Sequence, residues 1–266
     1  MKLALGLGIN QRAENLESMS GFSLKSISGL VSWYKFNTLH TLDGNALAEW
    51  GDSSGNGNTL TNTVATNKRP TVEADGRIDW EDVPNSFMNT TNPTPNTSAY
   101  TVIVVVEHSV SSTFKISRYL NNPNTGSLTD TIAWGTLSGS TNQIWQAIIN
   151  GFADSSTRIS LSLNSNQIQD DTKTIIIYRY GGGTTAGDEE FKLQHIADGA
   201  SSLTTVITQN LTNSSNAVLN GVAVGFDSST QYIRGYMDEM CIWNRKINNT
   251  ELTEVIADLK ARHNMT

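Results

Sequence analysis

The chain has little cysteine and little charge. Its 266 residues contain a single cysteine, Cys241, which excludes an intrachain disulfide framework and a cysteine-based zinc site. Only 16% of the residues are Asp, Glu, Lys or Arg, against about 25% in an average soluble domain. The formal net charge of −7 argues against unaided binding of nucleic acid, because that binding requires a basic surface.

Long apolar runs are also missing. The longest, Val102–Val106, has the length of a strand and falls far short of the ~18 residues of a membrane span. The opening run, Leu3–Ile9, is interrupted by Gly6 and Gly8, and no small-residue cleavage site follows it, so we expect no signal peptide. The sequence therefore predicts a partner that is neither a nucleic acid nor a membrane.

Ser, Thr, Asn and Gly are abundant instead, and clusters of them separate short apolar segments. Strands at intervals of about a dozen residues, joined by such turns, are typical of sandwiches and jelly rolls. The main predicted strands are Val31–Phe36, Thr59–Val64, Arg77–Trp80, Tyr100–His108, Thr131–Gly135, Gln143–Ile149, Arg158–Leu163, Lys173–Tyr180, Glu190–Ala197, Leu203–Ile207, Ala217–Phe226 and Tyr232–Trp243.

Two of these strands carry more specific predictions. In Val31–Phe36, strict alternation places Val31 on one face together with Trp33 and Lys35. The run Tyr100–His108 is continuously apolar at its centre, which predicts burial on both faces, as in a central strand.

The two ends of the chain differ from the middle. Residues 1–28 form a separate peripheral segment, which is either an arm or an ordinary edge strand of the main domain. Residues 29–266 form one domain. A short helix is predicted over about 250–262, with Thr250 as its N-cap and its apolar face against the edge of the sandwich.

Two motifs in order suggest a family. The first is Gly29–Phe36 followed by the turn Asp52–Asn58, and the second is Tyr232–Arg245 followed by the terminal helix. Together they resemble laminin-G-like domains of the concanavalin A-like lectin and glucanase superfamily, of the kind found in structural proteins of tailed-phage virions. The resemblance implies an all-β fold, a two-sheet antiparallel jelly-roll sandwich with a short C-terminal helix.

The glucanase branch of this superfamily uses a Glu-x-Asp-x-x-Glu strand, and the sequence contains no such strand. Glu81 and Asp82 are adjacent, so on a strand they point to opposite faces. The pair Asp238–Glu239 matches a structural motif of the family. We therefore expect the protein not to be an enzyme.

A structural calcium ion is one prediction from the turn. Asp52, Asn56 and Asn58 carry oxygen ligands within a tight, Gly-containing loop, and Asp238 lies on a strand that approaches that region in similar domains. The alternative is a plain turn in which these side chains bond backbone N–H groups.

Carbohydrate binding is the second prediction. Trp134, Trp145 and Tyr180 lie among Asn and Gln residues and are candidate sugar-stacking platforms. The alternative is that they belong to the core, since buried Trp and Tyr dominate sandwich interiors.

The function that this resemblance favours is a non-enzymatic virion structural protein of a tailed phage: a capsid decoration, neck or fibre-type component. Its expected partners are neighbouring virion proteins, further copies of the chain and host-surface glycans. Leu3, Leu5, Leu7 and Ile9 would dock the arm on a neighbour's sheet. A free carbohydrate-binding lectin module and a secreted, extracellular adhesin domain are the alternatives, because one fold hosts all three.

Overall fold

The structure is a computed structural model, which describes residues 22–36, 38–62, 69–80, 87–90, 99–108, 116–120, 131–136, 143–148, 159–163, 171–181, 190–210, 223–225 and 235–266. These residues form strands, one 3₁₀ turn (Leu24–Ser26) and one α-helix, α1 (Asn249–Arg262), so the predicted all-β fold with a short C-terminal helix is confirmed. Within these ranges no helix has the length and apolarity that crossing a membrane requires.

The strands are β1 (Leu30–Tyr34), β2 (His40–Asp43), β3 (Ala46–Trp50), β4 (Leu60–Asn62), β5 (Thr71–Val72), β6 (Ile78–Asp79), β7 (Phe87–Thr90), β8 (Tyr100–His108), β9 (Ile116–Leu120), β10 (Thr131–Thr136), β11 (Gln143–Ile148), β12 (Ile159–Leu163), β13 (Lys173–Tyr180), β14 (Glu190–Ala197), β15 (Thr204–Asn210), β16 (Ala223–Gly225) and β17 (Gly235–Trp243).

Most of these strands form one continuous antiparallel sheet that folds over into two layers. Its order is β15-β14-β13-β8-β17-β6-β5-β3-β4-β7-β16, with β1 added on β17 and β2 added on β3. The short strand β6 links the layers, because it pairs with β17 on one side and with β5 on the other. Strands β9 to β12 form a separate four-stranded sheet in the order β12-β11-β10-β9.

The central strands are buried on both faces, as the apolar run of β8 predicts. Val102, Val104 and Val106 belong to the core between the two layers, which also contains residues of β3 and β4. Ile103 and Val105 belong to a second cluster on the outer face of the same strands. A strand covered on both sides needs no polar face, which explains its uninterrupted sequence.

The helix α1 supplies the cover for that outer face. Its buried residues, Leu252, Val255, Ile256 and Leu259, join Ile103 and Val105 in the second cluster. The prediction that this helix lies against the edge of the sandwich is therefore wrong. The outer face of β8, β13 and β17 is apolar, and the helix removes it from water.

The helix also begins earlier than its sequence suggests. The N-cap is Asn248 and not Thr250: the Asn248 side chain accepts a hydrogen bond from the Glu251 backbone N–H at 3.0 Å. The Glu251 carboxylate in turn accepts one from the Asn248 N–H at 2.8 Å. This reciprocal capping box satisfies two donors that a helix start otherwise leaves unpaired.

Residues 22–28 belong to the sandwich and not to an arm. Leu24 and Ile27 are 0% and 5% exposed and pack in the outer cluster with α1. The Ser28 carbonyl accepts a hydrogen bond from Arg245 Nε at 2.8 Å. Apolar residues before residue 28 thus complete the helix-side core, and the domain boundary stays a prediction. Leu3, Leu5, Leu7 and Ile9 lie outside the described residues.

Candidate functional site

The turn Asp52–Asn58 is held against β1 by one carboxylate. Asp52 Oδ1 accepts hydrogen bonds from the Trp33 backbone N–H at 2.9 Å and from the Ser54 N–H at 2.8 Å. Asp52 Oδ2 accepts from Ser54 Oγ at 2.7 Å and from the Asn58 N–H at 3.0 Å. Both oxygens of this carboxylate are therefore engaged by donors of the protein itself.

The two asparagines of the turn serve the same strand. The Nδ2 groups of Asn56 and Asn58 donate to the Val31 carbonyl at 2.9 and 3.0 Å. Asn56 Nδ2 also lies 3.0 Å from the Leu30 carbonyl. The turn thus covers one edge of β1, which pairs with no strand among the described residues. It supplies hydrogen-bonding partners to backbone groups that an open edge leaves free.

The predicted calcium ligands are not brought together. Asp238 is 1% exposed, and its carboxylate accepts from Arg77 Nε at 3.2 and 3.4 Å. It shares no hydrogen-bonding partner with Asp52 in the described part of the chain. No group of three or more His, Cys, Asp or Glu side chains in that part could hold a metal ion. The side chains of Asp52, Asn56 and Asn58 instead form hydrogen bonds with backbone groups of the turn and of β1. These contacts agree with the alternative interpretation, in which the segment is a plain turn without a metal ion.

Glu239 forms a buried hub between the sheet and the end of α1. It is 1% exposed, and its carboxylate accepts from Trp33 Nε1 at 2.6 Å and contacts His263 Nε2 at 2.8 Å and Arg262 Nη1. Burial opposes ionisation of the carboxyl, but the charge of Arg262 and the bonds from His263 and Trp33 outweigh it and lower its pKa to about 2. The carboxylate stays charged and ties α1 to β17.

Trp33 and Arg262 reinforce this hub. The guanidinium carbon of Arg262 lies 5.2 Å from the Trp33 ring centroid, and Lys35 Nζ lies 4.7 Å from it. Arg262 Nη2 also contacts Asp258 at 2.7 Å. These contacts fix the last turn of the helix on the sheet, which determines where the residues after the helix lie.

A polar groove of about 420 Å³ opens where α1 ends. It is lined by Glu107, Asp171, Thr172, Lys173, Asp198, Gly199, His263, Asn264 and Thr266. These residues come from the end of β8, the start of β13, the turn between β14 and β15 and the segment after α1. All of these residues except Gly199 have a side chain that can donate or accept a hydrogen bond.

Hydrogen bonds join the walls of the groove. Lys173 and Glu107 are register partners on β13 and β8, and Lys173 Nζ donates to the His263 carbonyl at 3.1 Å. Across the groove, Asp198 Oδ1 accepts from the Thr266 N–H at 2.7 Å and from its hydroxyl at 3.2 Å. The sheet, the β14–β15 turn and the chain after α1 are thereby joined around one opening.

An arginine connects the groove to a second acidic residue. Arg77 Nη2 contacts Glu107 Oε2 at 3.0 Å, while its Nε contacts Asp238 at 3.2 Å. Its guanidinium carbon lies 3.8 Å from the centroid of the Tyr236 ring. Tyr236 is the register partner of Glu107 on β17. Burial raises the pKa of Asp238, and Arg77 opposes that effect.

Two residues of the groove have a backbone conformation that is uncommon for a residue other than glycine. Asp171 and Asn264 both have φ of +53°, and Leu39, outside the groove, has +56°. Asn264 follows the C-cap of α1 in a Schellman motif, in which the Met265 N–H donates to the Lys260 carbonyl at 2.8 Å. Asp and Asn tolerate this region better than most residues do.

The predicted sugar platforms have different positions. Tyr180 is 1% exposed and packs in the core between the layers, 5.6 Å from the Tyr100 ring, so it offers no face to a ligand. This part of the prediction is wrong, because Tyr180 points inward with Tyr178 on a strand covered on both sides. Trp134 and Trp145 are register partners on β10 and β11, and the structure describes the backbone but not the side chains of these two residues.

The comparisons with known proteins bear on the fold. No family model and no curated protein matches the chain. A GH54 α-L-arabinofuranosidase soaked with a cyclic sulfate inhibitor is similar over 82% of this chain and 51% of its own, with 14% identity and a TM-score of 0.51. Trypanosoma rangeli sialidase in complex with sialic acid is similar over 95% and 38%, with 10% identity and a TM-score of 0.55.

A third solved structure is the binding domain of botulinum neurotoxin DC in complex with SialylT. It is similar over 90% of this chain and 52% of its own, with 9% identity and a TM-score of 0.53. The chain thus spans about half or less of the length of each of these proteins. At such identities the likeness shows the fold alone, and that fold is a lectin-like β-sandwich.

Proposed function

We propose that this protein is a non-catalytic, glycan-binding β-sandwich module whose binding site is the polar groove at the end of α1. The groove carries the proposal. Its volume of about 420 Å³ falls within the range of small-molecule sites, roughly 300 to 1,000 Å³. Its carboxylates and carbonyls accept hydrogen bonds, and its ammonium, amide and hydroxyl groups donate them. Sugar hydroxyls need both kinds of partner.

The ligands bound to similar sandwiches support this class of ligand. One solved neighbour holds sialic acid and another holds SialylT. Both are larger proteins than the present chain, so we take from them only that sandwiches of this shape accommodate sugars. Which sugar binds has to be inferred from the residues that line the groove.

The non-catalytic part of the proposal is supported by the state of three carboxylates that are buried or paired. Hydrolysis of a glycoside uses two accessible carboxyl groups, one of which is protonated. Glu239 is buried, ionised and engaged by Trp33 and Arg262. Glu107 and Asp238 both pair with Arg77. These three are thus engaged in contacts that hold the fold together, which favours a binding role.

A double variant tests the groove directly. Asp171→Gly combined with Asn264→Gly removes two polar side chains from the groove, and glycine tolerates the positive φ at both positions. We expect the variant to fold and to bind the best glycan of an array about thirtyfold more weakly, since two lost hydrogen bonds of about 1 kcal/mol each together cost about 2 kcal/mol. Isothermal titration measures the affinity.

Leu39→Gly is the matched control, because Leu39 also has a positive φ and lies outside the groove. Its affinity should equal that of the parent protein. If the double variant bound the glycan unchanged and Trp134→Ala or Trp145→Ala lost binding, the binding site would lie on β10 and β11 and not in the groove. An array on which the parent protein finds no glycan would overturn the proposal.

The finer role remains the one that the sequence predicts: a structural component of a tailed-phage virion that contacts neighbouring subunits and further copies of itself. A free lectin and an extracellular adhesin domain stay the alternatives. The test is a deletion of residues 1–21, which spares Leu24 and Ile27 of the core. We expect the truncated protein to keep its melting temperature and to lose incorporation into particles. Unchanged incorporation would contradict the docking role of Leu3, Leu5, Leu7 and Ile9.

A further inference from the structure

We infer that the groove selects a sugar bearing an ammonium group and rejects a sialylated one. This inference rests on the proposed function, because it names the ligand class of the same site. It also differs from the ligands of two similar sandwiches, which are in complex with sialic acid or SialylT. The charges that line the groove, and the partners that each charge already has, support the inference.

Negative groups outnumber positive ones in the lining. Glu107, Asp171 and Asp198 face a single lysine, Lys173. Glu107 is paired with Arg77, which lies behind the groove wall. Asp171 is exposed and has no hydrogen-bond or ion-pair partner among the described residues. It is therefore a free carboxylate at the mouth of the groove.

The second carboxylate at the opening also keeps its charge. Asp198 is exposed and accepts two hydrogen bonds from Thr266, which is neutral at those atoms. The bond from the Thr266 N–H is the main cause of the lowered pKa of this carboxyl, and Lys173 adds a smaller effect. Asp198 is consequently ionised at neutral pH.

Lys173 is the one Lys or Arg among the described residues that line the groove, and it bonds to the end of the helix. Lys173 Nζ donates to the His263 carbonyl at 3.1 Å, at the C-terminal end of α1. The C-terminus of a helix carries a partial negative charge, whereas anions bind at helix N-termini. An anionic sugar would thus meet two carboxylates that no cation of the described residues pairs, and the negative end of a helix. An ammonium group would meet an attractive field from all three.

Three monosaccharides separate charge from ring shape: glucosamine, N-acetylglucosamine and N-acetylneuraminic acid. Glucosamine carries an ammonium where N-acetylglucosamine carries a neutral acetamide, and N-acetylneuraminic acid is an anion. We would titrate each into the isotopically labelled protein at slightly acidic pH and low salt, and follow the backbone amides of residues 171–173, 198–199 and 264–266 by NMR. Glucosamine should bind about fivefold more tightly than N-acetylglucosamine, the upper range for one exposed ion pair, and N-acetylneuraminic acid should bind most weakly.

Asp171→Asn keeps the shape and the tolerance of positive φ and removes the charge. It should erase the preference for glucosamine, as should high salt, whereas Asp43→Asn on β2, outside the groove, should leave it unchanged. Equal binding of the amine and the acetamide, or tighter binding of N-acetylneuraminic acid, would overturn the inference and leave the groove as a glycan site. Binding of none of the three at these amides would overturn the site itself.

Discussion

Replacing Glu239 by Gln lowers the free energy of unfolding by about 3 kcal/mol or more, because it leaves the buried charge of Arg262 without its main partner. The amide keeps the shape of the side chain, and its oxygen still accepts from Trp33 and Arg262, but it carries no charge, and its NH₂ group cannot accept a hydrogen bond from His263 Nε2. The end of α1 should loosen first, since Glu239 joins His263 and Arg262 to the sheet. Urea unfolding followed by tryptophan fluorescence measures the effect.

The pH dependence of stability gives an independent reading of the same group. The pKa of Glu239 is about 2 in the folded protein and has an ordinary value of 4.5. A carboxyl with a depressed pKa stabilises the fold above its ordinary value, and this contribution of about 3 kcal/mol is lost as the pH falls toward 2. The parent protein should therefore lose more stability than Glu239→Gln between about pH 7 and about pH 3.

Glu254→Gln is the matched control, because Glu254 is exposed on the same helix. It should change the free energy of unfolding by less than about 0.5 kcal/mol. If Glu239→Gln were as stable as this control, the hub would not hold the helix. The position of the groove would then need another explanation.

Replacing Asp52 by Ala lowers the free energy of unfolding by about 2 to 4 kcal/mol, because it leaves donors of β1 and of the turn without an acceptor. The carboxylate accepts from the backbone N–H groups of Trp33, Ser54 and Asn58. Asp52→Asn should cost nearly as much, since one of its two terminal atoms becomes a donor. Thermal unfolding with and without EDTA measures both the loss and any role of calcium.

The structure predicts that EDTA leaves the melting temperature of the parent protein unchanged, because the oxygens of Asp52 are already bonded to the chain. Asp75→Ala is the control: Asp75 accepts one exposed hydrogen bond, from the Arg77 N–H at 3.0 Å, and its loss should cost about 1 kcal/mol or less. A fall in melting temperature with EDTA that disappears in Asp52→Ala would establish the calcium site that the sequence predicts, since a ligand of the native state raises its stability.

Much of the fold could be predicted from the sequence, because hydrophobic periodicity records burial. The apolar run of β8 predicts its central position, and the spacing of Leu252, Val255 and Leu259 predicts the helix. Periodicity fails where the register shifts. Alternation places Val31 with Trp33, yet Val31 faces the inner core and Trp33 the outer one, because β1 is irregular between Leu30 and Ser32.

The candidate site was much harder to foresee. Its residues come from segments as far apart as Glu107 and Thr266, and no motif links them. The aromatic residues that attract attention in the sequence, such as Tyr180, fill the core. A weak signal existed in Asp171 and Asn264, since Asp and Asn are the residue types that accept positive φ. Only the register of β8 with β13 and the docking of α1 bring these groups together.

The most direct test of the account is an NMR titration of the labelled protein with the best glycan found on an array. If the groove binds the glycan, the backbone amides at residues 171–173, 198–199 and 264–266 shift, and these shifts are lost in the Asp171→Gly, Asn264→Gly double variant. Shifts confined to β10 and β11, around Trp134 and Trp145, would contradict it, as would the absence of any glycan that binds.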